Sequence, residues 1–414
     1  MWQDGGRRRQ PSILGSQGVG NRRKHRPDYK LLIVSATLIA IGLMVVYAIS
    51  PALAAQKHVS DNYYVGKQVI AILLGVIAFF VMATTPLNTW RHLQKLLIIG
   101  AIVVTAMALM MPTSIEYPAH RWIRFGGLSL QSVEFIKFAL LICLASFLAD
   151  RAKQNNIHDD KKTMQPVLIA MATIGFIVGI AQKDFGSTAV LVAMIVAMSF
   201  VAGLPLRRIV LTGLVTVAAL TLLILPFSYR RDRVLNFLHP EQNCLTSGYQ
   251  ACQALIAVGS GGIFGKGFAN SVQAYGYVPE AANDSIFAIY AEKFGFLGVT
   301  ILLVLFMALF SRLKNIMERA PDNFSRLIVA GVLAWLSTQS IINIGAMLGL
   351  LPLKGITLPF VSYGGTSVLF VTGAIGLMFN VSRYTTYIAR SEGASGRDSN
   401  VPRQNYRISR PNEV

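Results

Sequence analysis

LLIVSATLIAIGLMVVYAIS, residues 31–50, is a run of twenty residues without a charged side chain. At a rise of 1.5 Å per residue, a helix of that length spans ~30 Å, the hydrocarbon thickness of a bilayer. Nine further apolar runs follow, over 67–86, 96–112, 133–150, 166–182, 186–204, 207–226, 286–311, 327–350 and 360–382. Ten helices of about 20 residues would occupy roughly half of the chain. Of its 414 residues, 53% are hydrophobic and 14% charged, against ~25% charged in soluble domains. The mean hydropathy is +0.52. These figures describe an all-α integral membrane protein with about ten transmembrane helices over 31–382, and they exclude a soluble enzyme.

Lys and Arg outnumber Asp and Glu by 38 to 19, a balance that would suit a nucleic-acid binder. Here the excess sits in the tails and short loops, so it reports topology instead. With the N-terminus inside, twelve basic residues fall in inner loops: Arg91, Lys95, Arg151, Lys153, Lys161, Lys162, Arg207, Arg208, Arg312, Lys314, Arg319 and Arg326. Only Lys57, Arg121, Arg124, Lys183 and Lys354 fall in short outer loops. Both termini are therefore expected in the cytoplasm. Residues 1–30 read as a disordered basic tail ahead of an uncleaved first helix, and 383–414 as a second cytoplasmic tail.

The connection over 227–285 is far longer than an ordinary loop and is expected to be a functional extracytoplasmic segment between helices 7 and 8. It carries Arg230, Arg231 and Arg233, which long loops tolerate. Within it, 248–258 (GYQACQALIAV) has the makings of a short amphipathic or re-entrant helix. The glycines of 259–267 (GSGGIFGKG) require a tightly turned backbone close to something. The segment fails the phosphate-loop pattern, since Lys266 is followed by Gly267. Cys244 and Cys252 share this loop and would be free to pair if it lies outside the cell. Cys143 reads as a small core residue. No CxxC cluster occurs, and no residue is assigned as a metal ligand.

Charge within hydrocarbon costs ~2.5–3.5 kcal/mol on insertion scales, so each instance needs a reason. Glu134 and Lys137 stand three apart on one helix face and are expected to neutralise each other. Glu292 and Lys293 are adjacent, point in different directions and need separate partners. Further charges gather at the outer ends of spans: His120, Arg121 and Arg124 with Trp122, then Lys183 and Asp184, Glu280 and Asp284, and Lys354. Singly, the arginines could bind lipid phosphates, Trp122 could anchor at the interface, and Asp284 could cap the following helix. Together they describe an outward cleft with cations for an anionic head group and a carboxylate for proton chemistry. The last loop, LLPLKGITLPFVSYGGT (350–366), puts irregular backbone at membrane depth, which is tolerated where it lines a cavity.

Five blocks carry a resemblance: HRWIRFGGLSLQSVEFIKFALLICLASFLA (120–149), QKDFGSTAVL (182–191), SGYQACQALIAVGSGGIFGKGFANSVQ (247–273), YVPEAANDSIFAIYAEKFGFLG (277–298) and NIGAMLGLLPLKGITLPFVSYGGTSVL (343–369). In this order they resemble the SEDS family (shape, elongation, division and sporulation; FtsW/RodA), nearer its division branch. The resemblance implies a peptidoglycan glycosyltransferase of the cytoplasmic membrane, acting in septal cell-wall synthesis. It would polymerise lipid II into β-1,4 glycan strands on the outer face and release undecaprenyl diphosphate. It implies Asp284 as the catalytic base, Arg121, Trp122, Asp184, Lys266, Glu280 and Lys354 as substrate-binding residues, and Glu134–Lys137 as a structural ion pair. A divalent cation, Mg or Mn, could share the leaving-group charge. The implied partners are a class B penicillin-binding protein transpeptidase and regulators of the divisome.

Three departures accompany the resemblance. The usual PEAHTDFIF becomes PEAANDSIF, with Ala282, Asn283 and Ser285 around Asp284. The usual QPD becomes Gln182-Lys183-Asp184, and QPSE becomes Gln131-Ser132-Val133-Glu134. Ten helices would serve equally a lipid II flippase, which needs charges along a path through the bundle, or a non-catalytic scaffold for the transpeptidase. The outward placement of the charges favours extracytoplasmic chemistry.

Overall fold

The computed structural model describes residues 22–112, 120–125, 128–205 and 248–386 except 269, with 207, 209–211, 213, 214, 237 and 244–246 in addition. Most of the seventh expected span, the stretch with Arg230, Arg231 and Arg233, and the bulk of both tails lie outside the described residues. Eleven α-helices are described: α1 (Tyr29–Lys57), α2 (Tyr63–Thr84), α3 (Leu87–His92), α4 (Gln94–Met110), α5 (Ser132–Lys153), α6 (Gln165–Ile174), α7 (Phe185–Val201), α8 (Tyr249–Ser260), α9 (Ile286–Glu318), α10 (Asn323–Met347) and α11 (Gly365–Val381). π-helical turns at Asp160–Met164 and Gly175–Ala181 extend α6 at both ends. Among the described residues, α1, α2, α5, extended α6, α9 and α10 are long and apolar enough to cross a membrane. The apolar helices α4, α7 and α11 are shorter, at 17 residues each. The chain is a multi-pass membrane protein.

The expected helical class holds among the described residues, with a few short strands added. Two short antiparallel pairs are present: β1 (Arg22–Lys24) with β4 (Tyr384–Thr386), and β2 (Trp122–Phe125) with β3 (Leu128–Gln131). The Gly126-Gly127 pair in the sequence between β2 and β3 is a two-residue hairpin signal, overshadowed by the charges around it. The pairing of β1 with β4 brings the two described ends together. His25 N–H donates to the Arg383 carbonyl at 2.9 Å. Asp28 caps α1 through Leu31 N–H at 3.1 Å and pairs with Arg312 near the end of α9.

α5 and α10 form the centre. Of their most apolar 18-residue windows, 72% and 67% are buried, against 22% for α2. α10 packs on α5, α7 and α9, and Trp335 on it is fully buried. At the periphery, Ile70 and Phe80 of α2, Ile102 of α4 and Met307 of α9 are more than half exposed, as lipid-facing residues are. α11 lies along α2 because Gly376 lets the backbones touch: a Cβ there would sit 2.4 Å from the Phe79 carbonyl oxygen. Small residues at helix contacts do this throughout membrane proteins, where packing replaces the hydrophobic effect.

The long loop is organised around a break in α9. Gly295 takes φ 62° and ψ −163°, which severs the helical ladder and strands the backbone groups on either side. The glycine-rich segment fills the gap. Lys266 and Gly267 N–H donate to the carbonyls of Glu292 and Lys293, both at 2.9 Å, while Phe296 and Leu297 N–H donate to Gly262 and Ile263 at 2.9 and 3.1 Å. The contact admits no side chain at Gly265, where φ is +81° and a Cβ would lie 2.2 Å from the Lys293 carbonyl oxygen. The expected close approach of residues 259–267 is therefore to α9. α8 realises the short helix expected at 248–258 and packs on α9.

Candidate active site

Asp284 sits one residue before the N-cap of α9, which is Ser285, and no capping bond from Asp284 is found. The simple capping role is thus set aside. The residue is buried, at 9% exposure. Oδ2 accepts a long hydrogen bond from Gln250 Nε2 at 3.4 Å, and Oδ1 has no partner. Burial, then the nearby Glu280 carboxylate, pushes its pKa up to about 7; Gln250 and the more distant Arg121 pull the other way.

The chain around Asp284 is held by backbone bonds to the last loop. Tyr363 N–H donates to the Ala282 carbonyl at 2.8 Å, and Ser362 Oγ donates to the Asn283 carbonyl at 2.6 Å. Asn343, on α10, donates through Nδ2 to the Asp284 and Ile356 carbonyls, both at 2.7 Å. The result is a small cleft lined by Asp284, Asn343, Met347, Lys354, Gly355 and Ile356. The irregular 350–366 segment does line a cavity, as its composition requires.

Asp184 lies close by, at the start of α7. It caps that helix through Ser187 N–H at 3.0 Å, and its Oδ2 lies 3.6 Å from Arg121 Nη1. Gln131 of β3 also reaches it, at 3.4 Å. The next turn abuts the cleft wall, for a Cβ on Gly186 would lie 2.4 Å from the Ile356 side chain and 3.1 Å from Lys354 Cβ. Trp122 pairs with Gln131 across the β2–β3 hairpin, and that hairpin is tied to α11 by Thr366 Oγ1 donating to the Ser129 carbonyl at 2.8 Å. Arg121, Trp122, Asp184, Glu280, Asp284 and Lys354 thus belong to one end of the bundle. Glu280, exposed and at φ 52°, bonds Asn283.

Lys266 is placed differently. It lies 3.7 Å from Glu292 Oε1 in the α9 break. Glu292 is fully buried and also accepts from Ser271 Oγ at 2.6 Å and Val272 N–H at 2.9 Å; Lys293 donates to the Phe268 carbonyl at 2.9 Å. Each of the two adjacent charges has its own partners, as their opposite facing requires. Glu134 and Lys137 form a buried pair at 2.8 Å. Lys137 also donates to Gln339 Oε1 at 2.9 Å, and Gln339 Nε2 donates to the Thr357 carbonyl at 2.9 Å, which ties the ion pair to the cleft loop.

Cys244 and Cys252 form a disulfide. Among the described residues, no three His, Cys, Asp or Glu side chains converge as a metal site would need. Gln250, Gln339 and Asn343 carry no charge and so do not stand out beside the ionisable residues of the sequence. Their signal was available: an amide in or beside an apolar run carries a desolvation cost comparable in kind, and has to be satisfied.

A family model described as "Cell cycle protein" (FtsW, RodA, SpoVE) matches residues 29–387. Stage V sporulation protein E of Bacillus subtilis is 37% identical over 366 residues, covering 88% of this chain and 99% of that protein. The probable peptidoglycan glycosyltransferase FtsW of Saccharophagus degradans is 35% identical over 365 residues, covering 86% and 92%. Among solved structures, a chain reported under structural coordination of polymerization and crosslinking by a peptidoglycan synthase complex matches with TM-score 0.69 at 26% identity, covering 86% of this chain and 98% of that one. The rod shape determining protein RodA of Thermus thermophilus matches with TM-score 0.64, also at 26% identity, covering 86% and 97%.

Proposed function

Since the chain belongs to the FtsW/RodA/SpoVE family of cell cycle proteins, we propose that it is a peptidoglycan glycosyltransferase polymerising lipid II into β-1,4 glycan strands in septal cell-wall synthesis. The observation that carries the reading is Asp284, a buried carboxylate with an unpartnered oxygen in a cleft it shares with Lys354. A carboxylate held near pH 7 suits general-base work. Asp284 takes the proton from the acceptor sugar's hydroxyl as that oxygen attacks the donor's anomeric carbon. The bond from that carbon to the diphosphate breaks, and undecaprenyl diphosphate leaves with the electron pair. Arg121 and Lys354 stabilise the charge that develops on it, with Asp184 orienting Arg121, Trp122 lining the approach and Glu280 tuning the base. Lys266, held against Glu292, would serve at the mouth of the loop.

A divalent cation, Mg or Mn, fits as a companion of the diphosphate. Mg commonly uses one or two carboxylates plus substrate phosphates, and the exposed Glu280 carboxylate would be the protein donor, which leaves Asp284 free to act as the base. The ion would neutralise leaving-group charge.

The cleft is assigned to the outer face of the cytoplasmic membrane. The Cys244–Cys252 disulfide belongs in an oxidising compartment, and the basic inner loops favour cytoplasmic termini. Ten spans follow if 207–226 crosses as its composition suggests. A class B penicillin-binding protein is the proposed partner, in line with the synthase complex that the fold resembles, and divisome regulators would act on the pair. The test is glycan formation from purified lipid II with the cognate transpeptidase present, comparing wild type with Asp284→Ala. Polymer from wild type alone is expected. Equal polymer from both would remove Asp284 as the base, and none from either would move the reading to transport or scaffolding.

A further inference from the structure

Asn343 is 2% exposed in the middle of the bundle and lines the cleft beside Asp284. Its amide is fully constrained. Both Nδ2 protons are used, on the Asp284 and Ile356 carbonyls at 2.7 Å each. Turning the amide over would set Oδ1 against two carbonyl oxygens at that distance, so the network fixes which end is which. Oδ1 is thereby held in one direction, and it is buried without a partner. Asp284 Oδ1, on the neighbouring wall, is in the same condition. A buried acceptor without a donor costs roughly 1–3 kcal/mol, and a ligand that brings a pair of donors to this cleft would satisfy both.

We propose that Asn343 Oδ1 is a substrate-binding acceptor that takes a hydrogen bond from a sugar hydroxyl adjacent to the one Asp284 deprotonates. The inference rests on the glycosyltransferase reading and adds a specificity contact to it. A sugar ring presents hydroxyls on successive carbons, so a ring that offers one O–H to Asp284 offers another beside it. For a β-1,4 linkage the attacking hydroxyl is at C4, and the candidates for Asn343 are the hydroxyls at C3 and C6 of the acceptor sugar. The same side chain then joins two tasks. Its nitrogen holds the peptide of the base, and its oxygen selects the ring that the base will act on.

The test pairs enzyme variants with substrate analogues. Polymerisation rates are measured for wild type, Asn343→Ala and Asn343→Leu, with the transpeptidase partner present, on lipid II and on acceptors lacking the C3 or the C6 hydroxyl. Wild type should lose about 10- to 100-fold on one of the two deoxy acceptors. The variants should be slow on lipid II and distinguish it from that same analogue by less than about threefold. Nonadditivity of this kind identifies direct contact, because a purely structural role would slow all substrates by the same factor. Leu is the second variant because it keeps the side chain's approximate shape. The variant that melts within a few degrees of wild type is the one read. Retention of the full discrimination by either folded variant would overturn the proposal. So would equal wild-type rates on all three acceptors, the result expected if a buried water satisfies Oδ1. Absence of polymer from wild type on lipid II would instead bring down the underlying enzymatic reading.

Discussion

The environment of Asp284 makes a prediction about pH in which two signs can be checked. With the pKa at about 7, roughly one carboxylate in ten is ionised at pH 6 and nine in ten at pH 8. A base with an ordinary carboxylate pKa would be ionised throughout that range. The polymerisation rate of wild type should therefore rise about tenfold from pH 6 to pH 8, with a slope near one decade per unit below the midpoint. Glu280→Gln removes the like charge that helps hold the pKa up, so its midpoint should move toward acid. Glu280 is exposed and partly screened, which limits the move to less than about one unit. Gln250→Leu removes a donor to the carboxylate, so its midpoint should move toward base.

Stability should run opposite to activity. A carboxyl whose folded pKa lies above its unfolded value contributes stability that is complete below pH ~3.9 and is lost as pH rises through about 7. Three pH units of displacement correspond to about 4 kcal/mol at most. Asp284→Asn, which does not ionise, should melt higher than wild type at pH 8, and the gap should close as the pH falls toward 4. The assay is initial-rate polymerisation from lipid II in buffers of matched ionic strength, alongside thermal unfolding of the same preparations. A wild-type rate that is flat between pH 6 and 8, or a Glu280→Gln midpoint that moves upward, would refute the account of the base.

Lys137→Met strands the buried Glu134 carboxylate and should cost about 3–5 kcal/mol, while Glu134→Leu added to it should restore most of the loss. Thermal unfolding in detergent reads both, and a single variant as stable as wild type would count against the buried pair. Gly295→Ala should cost well over about 2 kcal/mol, since φ is +62° and a Cβ would lie 2.3 Å from Gly265 N; detergent-soluble yield and melting temperature report it, and an unchanged melt would contradict the broken helix. Under denaturing conditions without reductant, a thiol reagent should label Cys143 alone, and after reduction all three cysteines. Mass spectrometry counts the labels, and three before reduction would disprove the Cys244–Cys252 bond.

Where the chain crosses was legible because hydropathy is additive along a helix, and α1, α2, α5 and α9 fall on expected runs. Their ends were less so. α9 runs on to Glu318, beyond the apolar limit at 311, because a helix can continue past the hydrocarbon once water satisfies its polar side chains. The β2–β3 hairpin was hidden for the opposite reason: four-residue strands have too few periods to stand out beside ten membrane runs. In the candidate site, Asp284 was legible chiefly through family resemblance, since Asn-Asp-Ser before an apolar run also spells a helix cap. Lys266 shows what one-dimensional spacing leaves undetermined. It stands eighteen residues from Asp284 in sequence, yet the break at Gly295 draws its ammonium toward Glu292.

The uncharged amides carry the deeper lesson. Gln339 and Asn343 are one helical turn apart on α10, and both reach into the last loop, at Thr357 and Ile356 respectively. Along the sequence they are two polar letters in an apolar run, and composition gives no hint that they share a target. The need can be read from the other side. Residues 356 and 358–362 of the last loop are buried, where carbonyls cannot rely on water, so donors have to come from neighbouring helices. Gln339, Asn343 and, from α2, Gln68 supply three of them, at the Thr357, Ile356 and Ser362 carbonyls. The amide pair therefore does for the cleft what the glycine segment does for the break in α9, satisfying backbone groups that an irregular chain leaves open. A lysine or arginine could donate as well, but would add a buried charge with its own desolvation cost. Neutral amides hold the backbone in place and leave the electrostatics of the cleft to Arg121, Lys354, Glu280 and Asp284.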